Sequence, residues 1–538
     1  MPSGRRPRIH ISTFRACELI AVAKRHVQAS YVAEYLGALE AGLVVEESGY
    51  FDRDYLSEFQ AFYCTSSAAY ENRCKRLHFF KKIITKKHLL SAASGSVEAR
   101  KLIETNYLGF AILRPVRHAP LGRTVLSWYP DRYVPKTPRI TTPSREYKVH
   151  LLGMTIRVTG LAWQQQDTGV SACATIALWT MLHASALDEH HAIPSTADIT
   201  RAANAGFPAG ARVFPSGGLY FQQICEAIKS TRLEPMIADG QTRTPLSSRR
   251  GFSRERFSAV LACMIRSGYP LLLSCDRVQK NLDTAGHAVC VVGFREPAAP
   301  VAKGKPRSTW PDAFIEHIYI HDDNIGPSAR FRITTCPHNE TPLSTIRDPA
   351  KEDPNDPTSY VVLERSPPPR AIRSTSPVRH RDELNRVLVP NGIVAAVHED
   401  LRMNALQLHD NADVLARALA KVWGFPLTVT ARFLKAHDYV DSVLGSTLRP
   451  DAAATRKARF AMYNQVEPMS LLIGLARIGY EDTPLVDVLF DTTGLDCQAR
   501  VLCQVAFVPE VVPGLKDVRQ AIVDVLDWDY GPLIRVGA

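Results

Sequence analysis

Several absences narrow the class of this 538-residue chain. No run of about 18 uninterrupted apolar residues occurs, so no membrane-spanning helix is expected. The amino terminus, MPSGRRPRIHISTFRACELI, is basic, but no apolar stretch of signal-peptide length follows it. The 11 cysteines extend to Cys503 with no CxxC pair and no regular spacing, which argues against both a disulfide framework and a zinc ribbon. Neither type of glycine-rich phosphate loop is found, and no cofactor is expected. His190 and His191 are adjacent and so cannot both face one ion from a helix, and no metal is expected. These absences leave a soluble protein of a reducing compartment, read as cytoplasmic.

What is present is enough to fold. Hydrophobic residues make up 45% and charged residues 22%, a globular balance, and the length implies roughly two to four domains. The net charge of +11 is concentrated at one end: residues 1–150 hold 24 Lys+Arg against 13 Asp+Glu, and residues 151–538 hold 41 of each. Its densest part is CKRLHFFKKIITKKH, residues 74–88. Such a stretch suits nucleic acid or an acidic partner. A helix or strand with one solvated basic face accounts for it more simply, since no binding-module signature accompanies it.

Four regions follow from pattern and punctuation. Residues 1–150 read as a basic, mixed α/β domain. It has helical spacing in CELIAVAKRHVQASYVAEYLGALEAGL and SEFQAFYCTSSAAYENRC, and a strand YLGFAILRPV ended at Pro115. Residues 151–336 read as a second domain, entered through a hairpin, EYKVHLLGMTIRVTG, that begins at Glu146. It continues with helices in GGLYFQQICEAIKS and RERFSAVLACMIRSG, then strands YPLLLSC, HAVCVVGF and HIYIHDD. Residues 297–311 read as an inserted surface loop whose removal, over 298–309, should leave folding intact. Residues 337–384 read as a Pro-rich linker around one short strand, YVVLE, and residues 385–538 as a C-terminal α/β domain. The sequon-like Asn339 has no meaning without secretion.

The chemistry gathers around WQQQDTGVSACATIALW, residues 163–179. A thiol acts as a nucleophile only as thiolate, and a helix amino terminus favours negative charge. Cys173 falls in the first turn of a helix, with Gly169 supplying a turn and Ser171 a cap. A thiol also needs a base. His287 opens an apolar strand in TAGHAVCVVGF, and Asp322, at the end of the next strand in YIHDDNIGP, can orient it. His183 lies about 15 Å along the helix from Cys173, and His321 points to the strand face opposite Asp322, so neither replaces His287.

The order Cys, His, Asp, with a Gln upstream of a helix-borne Cys and a GHAVCVVGF strand carrying the His, resembles the papain-like cysteine peptidase superfamily. QQDTGVSACATIALWTML and SGYPLLLSCDRVQKNLDTAGHAVCVVGF resemble its bacterial branch related to bacteriocin-leader-processing peptidases. The likeness covers roughly residues 155–335. It implies an α+β fold: a papain-like core, with the Cys helix packed on an antiparallel sheet, flanked by N-terminal and C-terminal α/β domains. It further implies Cys173 as nucleophile, His287 as general base and then acid, Asp322 as the group fixing the His tautomer, and Gln166 as oxyanion donor. Asp167 stands where the family pattern expects the Gln, and Gln165 is an alternative donor. Asp323 and Asn324 are alternative orienters.

The function implied is a cysteine hydrolase that cleaves a peptide or isopeptide bond in a peptide or protein substrate through an acyl-enzyme. A transglutaminase or acyltransferase-like enzyme would use the same residues with an amine as acceptor. An inert papain-like module, binding nucleic acid or an acidic partner through its basic first segment, is the reading from another class.

Overall fold

The computed structural model describes residues 8–130, 137–167, 169–185, 193–206, 212–245, 249–278, 284–297, 307–343, 358–366, 387–448, 451–494, 499–526 and 528–536. His190, His191 and most of the Pro-rich stretch between 344 and 386 lie outside them.

The first unit is a five-stranded antiparallel sheet in chain order: Ile9–Thr13, Ala41–Tyr50, Cys74–Lys81, Tyr107–Leu113 and Leu121–Leu126. Helices fill the connections, and polar caps start three of them, Thr85 ahead of Lys86–Ala93 among them. Asp52 accepts the Tyr55 N–H ahead of Arg53–Ala61, and Ser96 accepts that of Ala99 ahead of Val97–Thr105. The helical reading of residues 57–74 holds only to Ala61, followed by a short 3-10 turn at Tyr63–Thr65.

The basic stretch 74–88 opens as the central strand of this sheet. Arg76 stands opposite Glu47 on the neighbouring strand, Nε to Oε2 2.6 Å, and Lys75 pairs with Glu18 and Glu46. Cross-strand acids therefore neutralise its first half. Lys82, Lys86 and Lys87 remain exposed.

The expected hairpin is present as Arg145–Leu151 and Met154–Gly160. Leu152 and Gly153 both take positive φ, 50° and 75°, the two-residue turn whose twist matches that of the flanking strands.

The three strands expected after residue 268 belong to one larger object. Leu271–Val278, Thr284–Arg295, His317–Asp322, Gly326–Cys336, Tyr360–Arg365 and Val387–Val397 pair antiparallel in that order, and the last returns to the first. The result is a closed six-stranded barrel. The boundaries drawn at residues 336 and 385 therefore cut through a sheet. Tyr360–Arg365, placed in the linker, is the fifth strand, and Val387–Val397, placed in the C-terminal domain, closes the ring. The helix Cys173–Ser185 packs against the barrel, chiefly on Thr284–Arg295.

The remaining residues build a seven-stranded sheet around the antiparallel run Leu427–Lys435, Leu472–Tyr480, Thr483–Asp491 and Arg500–Ala506. The long helix Ala405–Trp423 lies against it, bounded by an Asn404/Gln407 capping box and by Gly424 at φ 78°. The molecule is thus mixed helix and sheet. No helix among the described residues is long and apolar enough to cross a membrane.

The insertion between His287 and Asp322 differs from a free surface loop. Residues 298–306 lie outside the described residues, but Ser308–Thr309 forms a strand parallel to Leu427–Lys435. Ser308 Oγ and Trp310 Nε1 both donate to Asp413 Oδ1, at 2.7 and 3.0 Å. The end of the insertion is tied to the C-terminal sheet by that strand pairing and to the helix Ala405–Trp423 by Asp413, the shared acceptor of both donors. Deleting 298–309 would remove that strand. Asp413→Ala leaves both donors without their acceptor and is expected to cost about 1–3 kcal/mol. Urea denaturation checks this, and an unchanged midpoint would show that the strand is not held there.

Candidate active site

The segment before the Cys helix is an extension of the first sheet. Trp163 exchanges both backbone hydrogen bonds with Thr124, at 2.8 and 2.9 Å, and the Gln165 N–H donates to Leu121 O. The three glutamines take different partners. Gln164 Nε2 donates to buried Glu58 at 2.6 Å. Gln165 accepts from the Leu121 N–H and donates to His118 O, so its amide is committed to structure. Gln166 alone is partly exposed, and its Nε2 donates to Asn324 Oδ1 at 2.9 Å.

Asp167 then makes the turn. Its Oδ1 accepts the N–H groups of Gly169 and Val170, both at 2.8 Å, and its Oδ2 takes Ser171 Oγ and Arg114. Ser171 therefore serves Asp167 and does not cap the helix as expected. The first helical carbonyl is that of Ala172, which accepts from Ile176. Gly169 is required by space, since a Cβ there would sit 2.9 Å from the Phe62 ring.

Behind this turn lies a buried ion cluster. Arg114, just past the strand Tyr107–Leu113, reaches Glu58 Oε2 at 2.7 Å, Asp167 Oδ2 at 3.3 Å, and the carbonyls of Ala119 and Gln165. Glu58 also accepts from Thr196. One cation thus faces two carboxylates out of water. Burial pushes Glu58 up to about 7; Arg114 pulls it down, and Asp167 adds to the rise. Glu58 and Arg114 were not singled out in the sequence. Nothing local marks them, because their side-chain partners lie 53 to 138 residues away.

Cys173 opens the helix half-buried, whereas Cys263, Cys275 and Cys290 are buried. All ten described cysteines are free. His287 Nε2 lies 3.2 Å from Asp322 Oδ1 and 3.9 Å from Asp323 Oδ1, and the Cys173 thiol is among the groups that act on the same ring. Burial disfavours charge on His287. The Asp322 carboxylate, the Cys173 contact and Asp323 outweigh it and hold the ring well above its usual value. Asp322 is fixed in turn: its Oδ1 accepts the Asn324 N–H at 2.8 Å, and its backbone carbonyl accepts Trp163 Nε1 at 2.9 Å.

Cys173, His287 and Asp322 are therefore brought together, with Asp323 slightly farther and the Asn324 amide turned to Gln166. Gln166 borders the Asp322 turn, and Gln165 does not reach the group. His183 is buried against Tyr147 and Trp179, and burial keeps it neutral. His321 bridges Leu161 O and the Ser328 N–H, pushed down to about 4 by burial. Both are framework residues. Among the described residues, His287, Asp322 and Asp323 are the donors that could hold an ion, each offering one atom within 4.8 Å of the others.

Arg114→Met removes the cation and strands two buried carboxylates, and is expected to cost about 3–5 kcal/mol in urea denaturation. The cluster also gives a pH signature. A carboxyl raised on folding binds its proton more tightly in the native state, so its contribution is present below the unfolded value of 4.5 and declines as pH rises toward 7. Relative to Glu58→Gln, the native protein should lose stability between pH 5 and pH 7.5 by denaturant titration. A parallel pair of pH profiles would show that Glu58 is ionised throughout.

No protein-family model and no curated protein matches this chain, so what the site does has to be read from its own atoms.

Proposed function

We propose that the protein is a cysteine hydrolase of papain-like type, acting on a peptide or isopeptide bond through an acyl-enzyme on Cys173. The observation that carries this is the setting of His287. One imidazole lies 3.2 Å from a buried carboxylate and is influenced by a helix-tip thiol, each borne by a different element.

The chemistry follows from the ring. With Nε2–H donated to Asp322, Nδ1 takes the thiol proton to give an imidazolium beside a thiolate, and the thiolate attacks the carbonyl. The tetrahedral oxyanion needs donors in place. The Cys173 backbone N–H supplies one and Gln166, the partly exposed glutamine, the other. His287 next returns its proton to the leaving amine. In the second half it deprotonates water, which attacks the thioester and releases the acid and the thiol. Asp322 fits the orienting role better than Asp323, being 3.2 Å from Nε2 against 3.9 Å.

The test is selective alkylation near neutral pH followed by peptide mapping. Cys64 is exposed and Cys225 half-buried, so exposure alone would favour Cys64. Modification of Cys173 is expected to outrun that of Cys64 by about 10-fold or more, and to fall by about 100-fold in His287→Ala, the range one general base supplies. Equal labelling of Cys64 and Cys173, insensitive to His287, would end the proposal. With a scissile substrate in hand, release of free acid in the presence of amines distinguishes hydrolysis from acyl transfer.

A further inference from the structure

We propose that His287, Asp322 and Asp323 form a zinc(II) site, and that an ion bound there silences Cys173. The second half rests on the function proposed above; the first stands without it. His287 Nε2 lies 3.2 Å from Asp322 Oδ1 and 3.9 Å from Asp323 Oδ1, and one donor atom of each residue lies within 4.8 Å of the other two. Zinc bonds of about 2.0–2.1 Å in a tetrahedron put neighbouring ligands roughly 3.3 Å apart. The three side chains are thus close to a zinc bite, and modest rotations of the carboxylates complete it.

A second observation points the same way. Oδ2 of Asp322 and Oδ2 of Asp323 belong to side chains that are 0% and 2% exposed, and neither accepts a hydrogen bond among the described residues. Buried carboxylate oxygens without donors are costly, and a cation bound by the two carboxylates removes that cost. The base and its orienter need only one carboxylate, so Asp323 is surplus to the hydrolytic reading.

The donor set selects the ion. One imidazole nitrogen with two carboxylates suits zinc, whereas magnesium and calcium take oxygen ligands throughout. The frame is rigid, since Trp163 holds the Asp322 carbonyl and the Asn324 N–H holds its Oδ1. Arg277 is the standing cation whose charge reaches Asp323, and zinc has to compete with it.

Silencing follows from proton bookkeeping on one ring. Zinc at Nε2 displaces the proton donated to Asp322, and Nδ1 takes one up. The lone pair that received the thiol proton is then gone, and the carboxylate that oriented the ring is bound to metal.

Isothermal titration calorimetry with zinc chloride, on the full chain and on Asp323→Asn, His287→Gln and Cys173→Ala, tests the site. Melting curves confirm that each variant is folded. Affinity should fall at least about 10-fold in the first two variants, the minimum seen for losing even an outer partner, and stay within about 2-fold in Cys173→Ala. Loss of binding in Cys173→Ala, with sulfur-to-cobalt charge-transfer absorption in the cobalt-loaded native protein, would put the ion on the thiol and overturn the proposal. Binding unaffected by Asp323→Asn and His287→Gln would overturn it equally. Saturating zinc should slow alkylation of Cys173 by about 10-fold or more, reversibly on adding chelator, and an unchanged rate would refute the silencing. Reactive Cys173 without zinc binding sinks the metal site alone. Zinc binding with an inert thiol sinks the hydrolase and the silencing together and leaves the site standing.

Discussion

The buried guanidinium of Arg114 is the constraint on which the site depends. Two carboxylates reach it from different parts of the chain, Glu58 on the helix Arg53–Ala61 and Asp167 in the turn before Cys173. Neither acid can stay ionised in that interior without the cation, and the cation cannot stay there without them. The pairing fixes the position of Asp167, and the other oxygen of Asp167 fixes the turn through Gly169 and Val170. The start of the Cys helix is thus set by the first sheet. The polar run ahead of an apolar helix has its explanation here: Gln164 and Asp167 are polar because they dock on a buried ion cluster.

The other half of the site is set by the barrel. Cys290 pairs with His321, so one step further along that register Asp322 lies across from Val289, two residues from His287 and on the same face. On the other side, Cys275 stands directly opposite His287. Closing the sheet removes its edges and fixes these registers, since a slip on one strand would have to be matched by all six. The first unit also braces this side. Tyr31 packs so closely on Gly326 that a Cβ there would lie 2.1 Å from its ring. The glycine of the DDNIGP turn is needed for that approach.

What could be read from the sequence follows from how local each signal is. Cys173, His287 and Asp322 stand out because each combines a reactive side chain with a nearby start or end of an element, and the Leu152-Gly153 hairpin is written in consecutive residues. The barrel is not local. Its last strand, Val387–Val397, is an apolar run that could pair anywhere, and the Pro-rich segment ahead of it resembles a domain boundary. The strand Ser308–Thr309 is only two residues long and gains its partner, Leu427–Lys435, from far along the chain. Glu58 looks like any helical acid. The three glutamines are indistinguishable in the sequence, and only their distant partners sort them into two structural residues and one that borders the reactive group.

The charge count around His287 separates the two aspartates. An imidazolium paired with Asp322 is neutral as a unit, which is what a buried site tolerates best. Asp323 adds a second carboxylate 3.9 Å from the same nitrogen, with no further ring to neutralise it. Burial raises it to about 7, His287 opposes the rise and Asp322 adds to it. With Asp323 protonated the three side chains are neutral as a set, and with it ionised they are anionic. The anionic state is the one that recruits a positive group, whether a proton, Arg277 or a dication. A site built for orientation alone has no need of that second acid. Its presence beside the first makes the base responsive to its surroundings as well as held in place.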